Sequence, residues 1–183
     1  GAFYASQTFL QLLPPAIFGC APQPELAWTA PAVDIEDAPR FRWRGLMIDS
    51  ARYYQPVDCL KRFIDLMAQH KLNVFHWHIV DDQGWRLEIK KYPRLTQIGS
   101  RRRESPLGQR TAELGGDGTP VEGFYTQAEV RDLVAYAAER HIQILPEIEM
   151  PGHAQAAVAA YPETGLLPQA REVSCQWGIH ETL

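Results

Sequence analysis

The stretch from Asn73 to Arg86, Asn-Val-Phe-His-Trp-His-Ile-Val-Asp-Asp-Gln-Gly-Trp-Arg, constrains the fold more than any other part of this chain. Its first half reads as one buried strand. Alternation puts His76 and His78 on one face and Phe75, Trp77 and Ile79 on the other. Histidines on one strand face, followed at once by Asp81 and Asp82, are not what a packing strand needs. Burying so many ionisable groups costs free energy unless they are paired or stand in a solvated cleft. Part of a polar site is therefore expected where this strand ends.

The flanking segments extend the pattern. Gly45 to Ala51 reads as a buried strand. Pro56 suits a first helical position, having no N–H to leave unpaired, and Val57, Leu60, Phe63, Ile64 and Met67 follow at helical spacing. Cys59, inside that pattern, reads as a small core residue. Thr126 and Glu129 form a capping-box pattern ahead of the apolar stripe Val130, Leu133, Val134, Ala137 and Ala138. The spacing predicts strands near 45–51, 72–80 and 142–148 and helices near 57–70 and 126–140. Met150-Pro151-Gly152-His153 leads into an Ala-rich stretch of helical character. Between these elements, roughly 92–123 is polar and aperiodic, a loop long enough to be functional or mobile. At the start, Gly1 to Leu13 reads as an amphipathic helix closed by Pro14-Pro15, and Ala21 to Pro39 as a Pro-rich linker.

Strand, helix, strand, helix, strand is the order of an α/β chain with a parallel sheet flanked by helices. Asp49 and Arg52 end the first strand, His78, Asp81 and Asp82 the second, and Glu147, Glu149 and His153 the third. All three groups lie at C-terminal strand ends, the face where TIM barrels and open doubly wound sheets build their sites. No glycine-rich phosphate loop follows the first strand, which argues against a dinucleotide domain.

A net charge of -4 gives no basic surface for nucleic acid. Arg101-Arg102-Arg103, the one basic run, reads as a solvated loop. No segment is apolar and long enough to span a membrane. Cys20, Cys59 and Cys175 form neither a zinc spacing nor a CxxC pair, and do not fix the compartment. Periplasmic, secreted and cytoplasmic settings all fit. The opening Gly-Ala-Phe-Tyr-Ala-Ser lacks the basic start of a signal peptide and reads as the middle of a longer protein.

Three motifs carry a family resemblance: Phe41 to Arg52, Phe75 to Arg86, and Pro146 to His153. In this order and spacing they resemble the first three strands of the barrel of glycoside hydrolase family 20, the β-N-acetylhexosaminidases. The resemblance implies a partial TIM (β/α)8 barrel over 40–183, covering its first three β/α units. Residues 1–20 resemble the terminal helix of the accessory α/β domain that precedes that barrel, with 21–39 as the linker. The family removes terminal N-acetylglucosamine or N-acetylgalactosamine from glycans with retention, and is known as a substrate-assisted exception among glycosidases: the substrate's acetamido oxygen attacks its own anomeric carbon. Its Asp-Glu pair stands in a His-x-Gly-Gly-Asp-Glu motif at the fourth strand. That motif is absent from this sequence, so the chain is expected to be a truncated part of the barrel and inactive alone.

By that resemblance Arg52 matches the arginine that holds sugar hydroxyls, a task suited to a guanidinium fork. Asp81 and His153 match a hydrogen-bonded relay to the family's acid, a carboxylate orienting an imidazole that tunes a proton donor. His78 and Glu149 match pocket-supporting positions; at the latter, Asp is also frequent in the family. The implied partner is an N-acetylhexosamine-terminated glycan, with no cofactor, no metal, no nucleic acid and no membrane. Self-association or the missing C-terminal part of the barrel are the other expected partners. From the residues alone, plainer roles stand beside these: an Arg52–Asp49 ion pair, Asp81 as a turn cap, and His153 as a helix cap. Trp85 suits packing as well as a sugar platform, and His70, His141 and His180 read as structural or exposed. Two other classes remain open. His76-x-His78 could ligate a metal with Asp81, Glu147 or His153 in a metal-dependent barrel hydrolase, or the chain could be a non-catalytic carbohydrate-binding fragment.

Overall fold

In a computed structural model of the chain, the structure describes residues 1–108, 115–166, 172–178 and 180. A three-stranded parallel sheet is built from β1 (Gly45–Asp49), β2 (Val74–His78) and the strand Gln143–Glu147. β2 lies at its centre, with Gly45 opposite Val74 and Val74 opposite Gln143. Helix α1 (Ala2–Leu12) precedes the sheet, and α2 (Val57–Gln69) connects β1 to β2. Between β2 and the third sheet strand lie β3 (Val80–Asp81), β4 (Gly84–Trp85), the single turn α3 (Arg94–Gln97), β5 (Arg101–Arg102), β6 (Val121–Glu122) and α4 (Gln127–Glu139). The sheet strand Gln143–Glu147 is thus β7, and α5 (Gln155–Ala160) follows it.

The sequence dictates how α2 and α4 meet the sheet. On α2, Leu60, Ile64, Met67 and Ala68 fall on one face and are buried; on α4, Leu133 and Ala137 do the same. They close over Phe75 and Trp77, the outward row of β2, in one core. Burying each large side chain of this kind contributes roughly 1.5–3 kcal/mol. The capping box at the start of α4 is present: Thr126 Oγ1 accepts from Glu129 N–H at 3.2 Å, and Glu129 Oε2 accepts from Thr126 N–H at 2.8 Å.

Both helices end the same way. Lys71 and His141 each take φ 57°. Leu72 N–H then reaches Met67 O at 2.9 Å, and Ile142 N–H reaches Ala137 O at 3.0 Å. This left-handed cap satisfies the last carbonyls and turns the chain into the next strand within two or three residues. Short connections of this kind bring every strand into the sheet in the same direction.

Several expectations need correction. β1 is not buried: Leu46 and Met47 are exposed, because β1 is an edge strand paired only with β2. β2 stops at His78 rather than running to 80. Val80–Asp81 instead folds back on Gly84–Trp85 as an antiparallel hairpin. Pro56 is the N-cap of α2, with ψ 151°, rather than its first helical residue. Cys59 is exposed, since it follows the solvent side of α2 one position before the buried Leu60. Val134 is likewise exposed, one position past Leu133.

The 92–123 stretch is not a bare loop where it is described. It holds α3 and the antiparallel β5–β6 pair, and 109–114 lie outside the described residues. Within it Arg102 is buried, donating to Gln83 O at 3.2 Å and Ser105 Oγ at 2.8 Å, while Arg101 and Arg103 stay exposed, so the solvated reading of the arginine run holds for its outer two members and fails for the middle one. Helix α1 is tied on by Lys71 Nζ to Thr8 Oγ1 at 2.5 Å and Arg44 Nη2 to Tyr4 Oη at 3.2 Å. Residues 21–39 carry no helix or strand.

Candidate active site

The strand register assembles the first layer of the site. Asp49, His78 and Glu147 are partners across β1, β2 and β7, so they form one polar row at the C-terminal strand ends. Two residues earlier on the same face stand Met47, His76 and Leu145. This face looks away from the helices. His78 Nδ1 lies 3.8 Å from Asp49 and 3.9 Å from Glu147.

Arg52 enters from the turn after β1. The N–H groups of Ser50 and Ala51 both donate to His78 O, at 2.9 and 3.1 Å, folding that turn back over β2. Arg52 Nη1 then meets Asp81 Oδ2 at 2.7 Å and Asp49 Oδ2 at 3.2 Å, while Nε donates to Gln83 Oε1 at 2.7 Å. Nη2 carries no hydrogen bond to the described residues. The guanidinium lies 5.5 Å from the ring centre of Trp177, which covers one side of it.

The two carboxylates of the β3 turn divide their work. Both are buried. Asp81 faces Arg52 and His78, whose Nε2 stands 3.0 Å away as an ionic contact outside hydrogen-bond alignment. Asp82 faces His153: its Oδ2 is 3.0 Å from Nδ1, and its Oδ1 accepts the Gln155 N–H at 3.0 Å, fastening the start of α5. His153 Nδ1 is also 3.2 Å from Asp81 Oδ1. Against a carboxylate that nitrogen must carry the proton, which leaves Nε2 as the other face of the ring. His153 holds φ 53°, an uncommon backbone state for a residue with a side chain and one concentrated at functional sites.

Charge follows from this geometry. Burial alone would raise Asp81, but the His78 contact, the Asp82 N–H and Arg52 outweigh it and hold Asp81 below the ordinary carboxylate value. Burial alone would lower His153, but Asp82 and Asp81 outweigh it and raise it; His78 is raised for the same reason, chiefly by Asp81 against its own burial. His76 Nε2 meets Glu147 Oε2 at 2.6 Å. Glu147 is held low despite burial, by Glu149 and the two histidines, while burial and the charge of Glu147 push Glu149 up. Of that pair, Glu149 is the one that holds its proton to the higher pH.

All five residues expected at the site therefore gather here: Arg52, His78, Asp81 and His153 in direct contact, and Glu149 at 3.9 Å from His78 Nε2. The hydrogen-bond partner of His153, however, is Asp82, with Asp81 in a second, longer contact. Sequence places Asp82 in the polar group after β2 without naming its partner and gives Gln83 no role; the Asp81-Asp82 doublet is the signal, but only tertiary contacts show which carboxylate faces which partner. Trp85 packs: it is buried, its Nε1 donates to Leu87 O at 2.7 Å, and one side borders a cavity of about 680 Å³ with Tyr92, Ile148, Met150 and Tyr161. His76 and His78 do not converge as a ligand pair. The donor clusters are instead His78, Glu147 and Glu149, and Asp81, Asp82 and His153. The Arg52 cation against Asp81, with His78 Nδ1 3.4 Å from the same Nη1, disfavours a divalent ion there.

Comparison with known proteins matches residues 41–183 to the model for glycosyl hydrolase family 20, catalytic domain. The chain is similar to a beta-hexosaminidase of Porphyromonas gingivalis, 49% identical over 181 residues, which is 99% of this chain and 22% of that protein. It is similar to the N,N'-diacetylchitobiase of Vibrio harveyi, 38% identical over 87% of this chain and 18% of that protein. Among solved structures, the β-N-acetylhexosaminidase from Streptomyces coelicolor superposes with a TM-score of 0.84 at 40% identity, over 100% of this chain and 34% of that one. The Streptomyces plicatus N-acetyl-β-hexosaminidase in complex with Thio-NAglucal gives 0.84 at 39% identity, with the same coverage. The chain thus spans about a quarter of the curated relatives it matches.

Proposed function

This chain belongs to glycosyl hydrolase family 20, and we propose that it supplies the first three β/α units of a (β/α)8 barrel that removes terminal GlcNAc or GalNAc from glycans. In this reading residues 40–183 are the start of the catalytic barrel, 21–39 the linker, and 1–20 the last helix of an accessory domain. The observation that carries it is the convergence of Arg52, Asp81 and His153 at the C-terminal strand ends, with Nη2 of Arg52 unspent among the described residues.

Each residue then has a task. Arg52, held at Nη1 and Nε by Asp81, Asp49 and Gln83, offers Nη2 to sugar hydroxyls. Asp81 and Asp82 hold His153 protonated at Nδ1, so that Nε2 can orient and tune the family's acid, which stands in a motif this sequence lacks. His78 and Glu149 support the pocket floor. Catalysis in this reading is retaining and substrate-assisted, the acetamido oxygen serving as nucleophile.

The test uses a polypeptide that continues from this chain through the remaining barrel units. It should release a chromogenic aglycone from a β-N-acetylglucosaminide and from the galactosaminide, with retention at the anomeric carbon. Loss of affinity in Arg52→Ala supports the role of Arg52. Hydrolysis that is indifferent to Arg52 and His153, or that inverts the anomeric centre, would overturn the reading.

A further inference from the structure

Arg86 has no exposed surface, and among the described residues no carboxylate lies within salt-bridge distance of it. Every hydrogen bond its guanidinium makes to the described residues goes to a backbone carbonyl. Nε donates to Ser50 O at 3.1 Å, Nη2 to Ala51 O at 2.9 Å, and Nη1 to Ser100 O at 2.5 Å and Gly123 O at 3.1 Å. A buried cation without an anion is expensive, so its position calls for a reason beyond filling space.

Two of those carbonyls belong to the turn that aims Arg52. The Ala51 carbonyl is in the peptide unit that ends at the Arg52 nitrogen, and that unit is planar, so fixing its oxygen fixes the direction in which Arg52 leaves the turn. The rest of the turn is tied as well. Trp77 Nε1 donates to Ser50 Oγ at 2.9 Å, Ser50 Oγ donates to Gln55 Oε1 at 2.7 Å, and Tyr125 Oη donates to Gln55 O at 2.7 Å while standing 3.1 Å from Ser50 Oγ. Gly84 keeps the space open: a Cβ there would stand 2.5 Å from Arg86 Nη2 and 2.7 Å from Ala51 O.

We infer that Arg86 is a positioning residue for Arg52. It clamps the Ser50–Ala51 turn so that the Arg52 fork is presented to the sugar already oriented, with Asp81 and Gln83 holding its other side. The flexible part of the sugar-binding arm is thereby reduced to its side chain, and less ordering is left to be done on binding. This rests on the reading of Arg52 as the arm that contacts the sugar.

The experiment is a double-mutant cycle in the polypeptide that extends through the whole catalytic domain. Arg52→Ala, Arg86→Met and the pair together are compared for KM and kcat on a chromogenic β-N-acetylglucosaminide and for the Kd of N-acetylglucosamine. Arg86→Met alone should weaken Kd roughly tenfold, and the double variant should bind no more weakly than Arg52→Ala, the signature of residues that act as one unit. Guanidinium ion added to Arg86→Ala should restore part of the affinity, and none in the Arg52→Ala background. Arg86→Lys and Gly84→Ala keep a cation in place while disturbing the same carbonyls, so the cycle stands even if Arg86→Met does not fold. An unchanged Kd in Arg52→Ala would sink the sugar-arm reading itself. Arg52→Ala effects that multiply with those at Arg86 and Gly84 would leave that reading intact and overturn this inference.

Discussion

His153 Nδ1 stands 3.0 Å from Asp82 Oδ2, although 71 residues separate them in sequence. β2 and β7 are neighbours in the sheet, and each runs on past its C-terminal end into one of these residues. The contact sets the charge of the imidazole. His153 should therefore titrate above the ordinary histidine value of 6.5, because Asp82 and Asp81 favour its cation more than burial opposes it. A folded-state pKa above the unfolded one contributes stability that is full below 6.5 and is lost as pH rises through the folded value. Asp82→Asn should bring the His153 midpoint down, read by NMR titration of its ring protons. A midpoint that stays put would show that Asp82 does not govern the ring.

Asp81 carries the opposite sign. Its pKa is lowered from 3.8, so its contribution is present above that value and is lost as pH falls through the folded pKa. Arg52→Met would leave this buried carboxylate without its guanidinium. Stability should fall by about 3 kcal/mol, as for a buried pair broken from one side. Denaturant midpoints at neutral pH should show the loss, and the gap should shrink in acid, where Asp81 takes up a proton.

Much of this geometry could be read from residue order alone. The helical spacing of Leu60, Ile64 and Met67 placed α2, and the period-two pattern of Phe75 to His78 separated a core face from a site face. What escaped were features decided by partners far along the chain. Ile79 and Val80 continue the apolar pattern of β2, yet the strand ends because Val80 pairs with Trp85. Arg102 looked solvated because a buried arginine satisfied by carbonyls and a hydroxyl leaves no pattern in its neighbours. The choice of Asp82 over Asp81 as the hydrogen-bond partner of His153 turns on side-chain directions at adjacent positions, which spacing does not encode.

The capping box of α4 allows a direct stability test. Thr126→Ala removes the oxygen that accepts from Glu129 N–H and the hydroxyl that donates to Glu129 Oε2, leaving that carboxylate only the backbone N–H at position 126. The expected cost is about 1 kcal/mol, read from chemical denaturation. Thr126→Ser should recover most of it, since the hydroxyl is kept. No loss in the alanine variant would mean that packing of Leu133 and Ala137 alone fixes the helix start.

The relay makes a kinetic prediction for the extended enzyme. His153→Ala should lower kcat by roughly a hundredfold while KM changes little, since in the proposed relay the ring would act on the proton donor and not on sugar hydroxyls. Asp82→Asn should move kcat the same way but less, because the ring remains. A His153 variant that raises KM alone would make the residue a binding group instead.

The 183-residue chain alone should not hydrolyse a chromogenic N-acetylglucosaminide. The acetamido oxygen can attack the anomeric carbon only if it is held and polarised, and the leaving oxygen departs slowly unless it is protonated. In the mechanism proposed above both tasks fall to an Asp-Glu pair, in a motif absent from this sequence. The carboxylates present are already engaged: Asp81 and Asp82 hold Arg52 and His153, and Glu147 holds His76. Burial and the charge of Glu147 raise the pKa of Glu149, but it lies beside His78 in a site whose Arg52 would be the main grip on the sugar, and one grip does not offset the freedom a ligand loses on binding. Turnover by the chain as it stands, abolished by Arg52→Ala and by Glu149→Gln, would show that Glu149 serves as an acid without the missing pair. Restoration of activity only when the fourth strand and the rest of the barrel are supplied is the expected result.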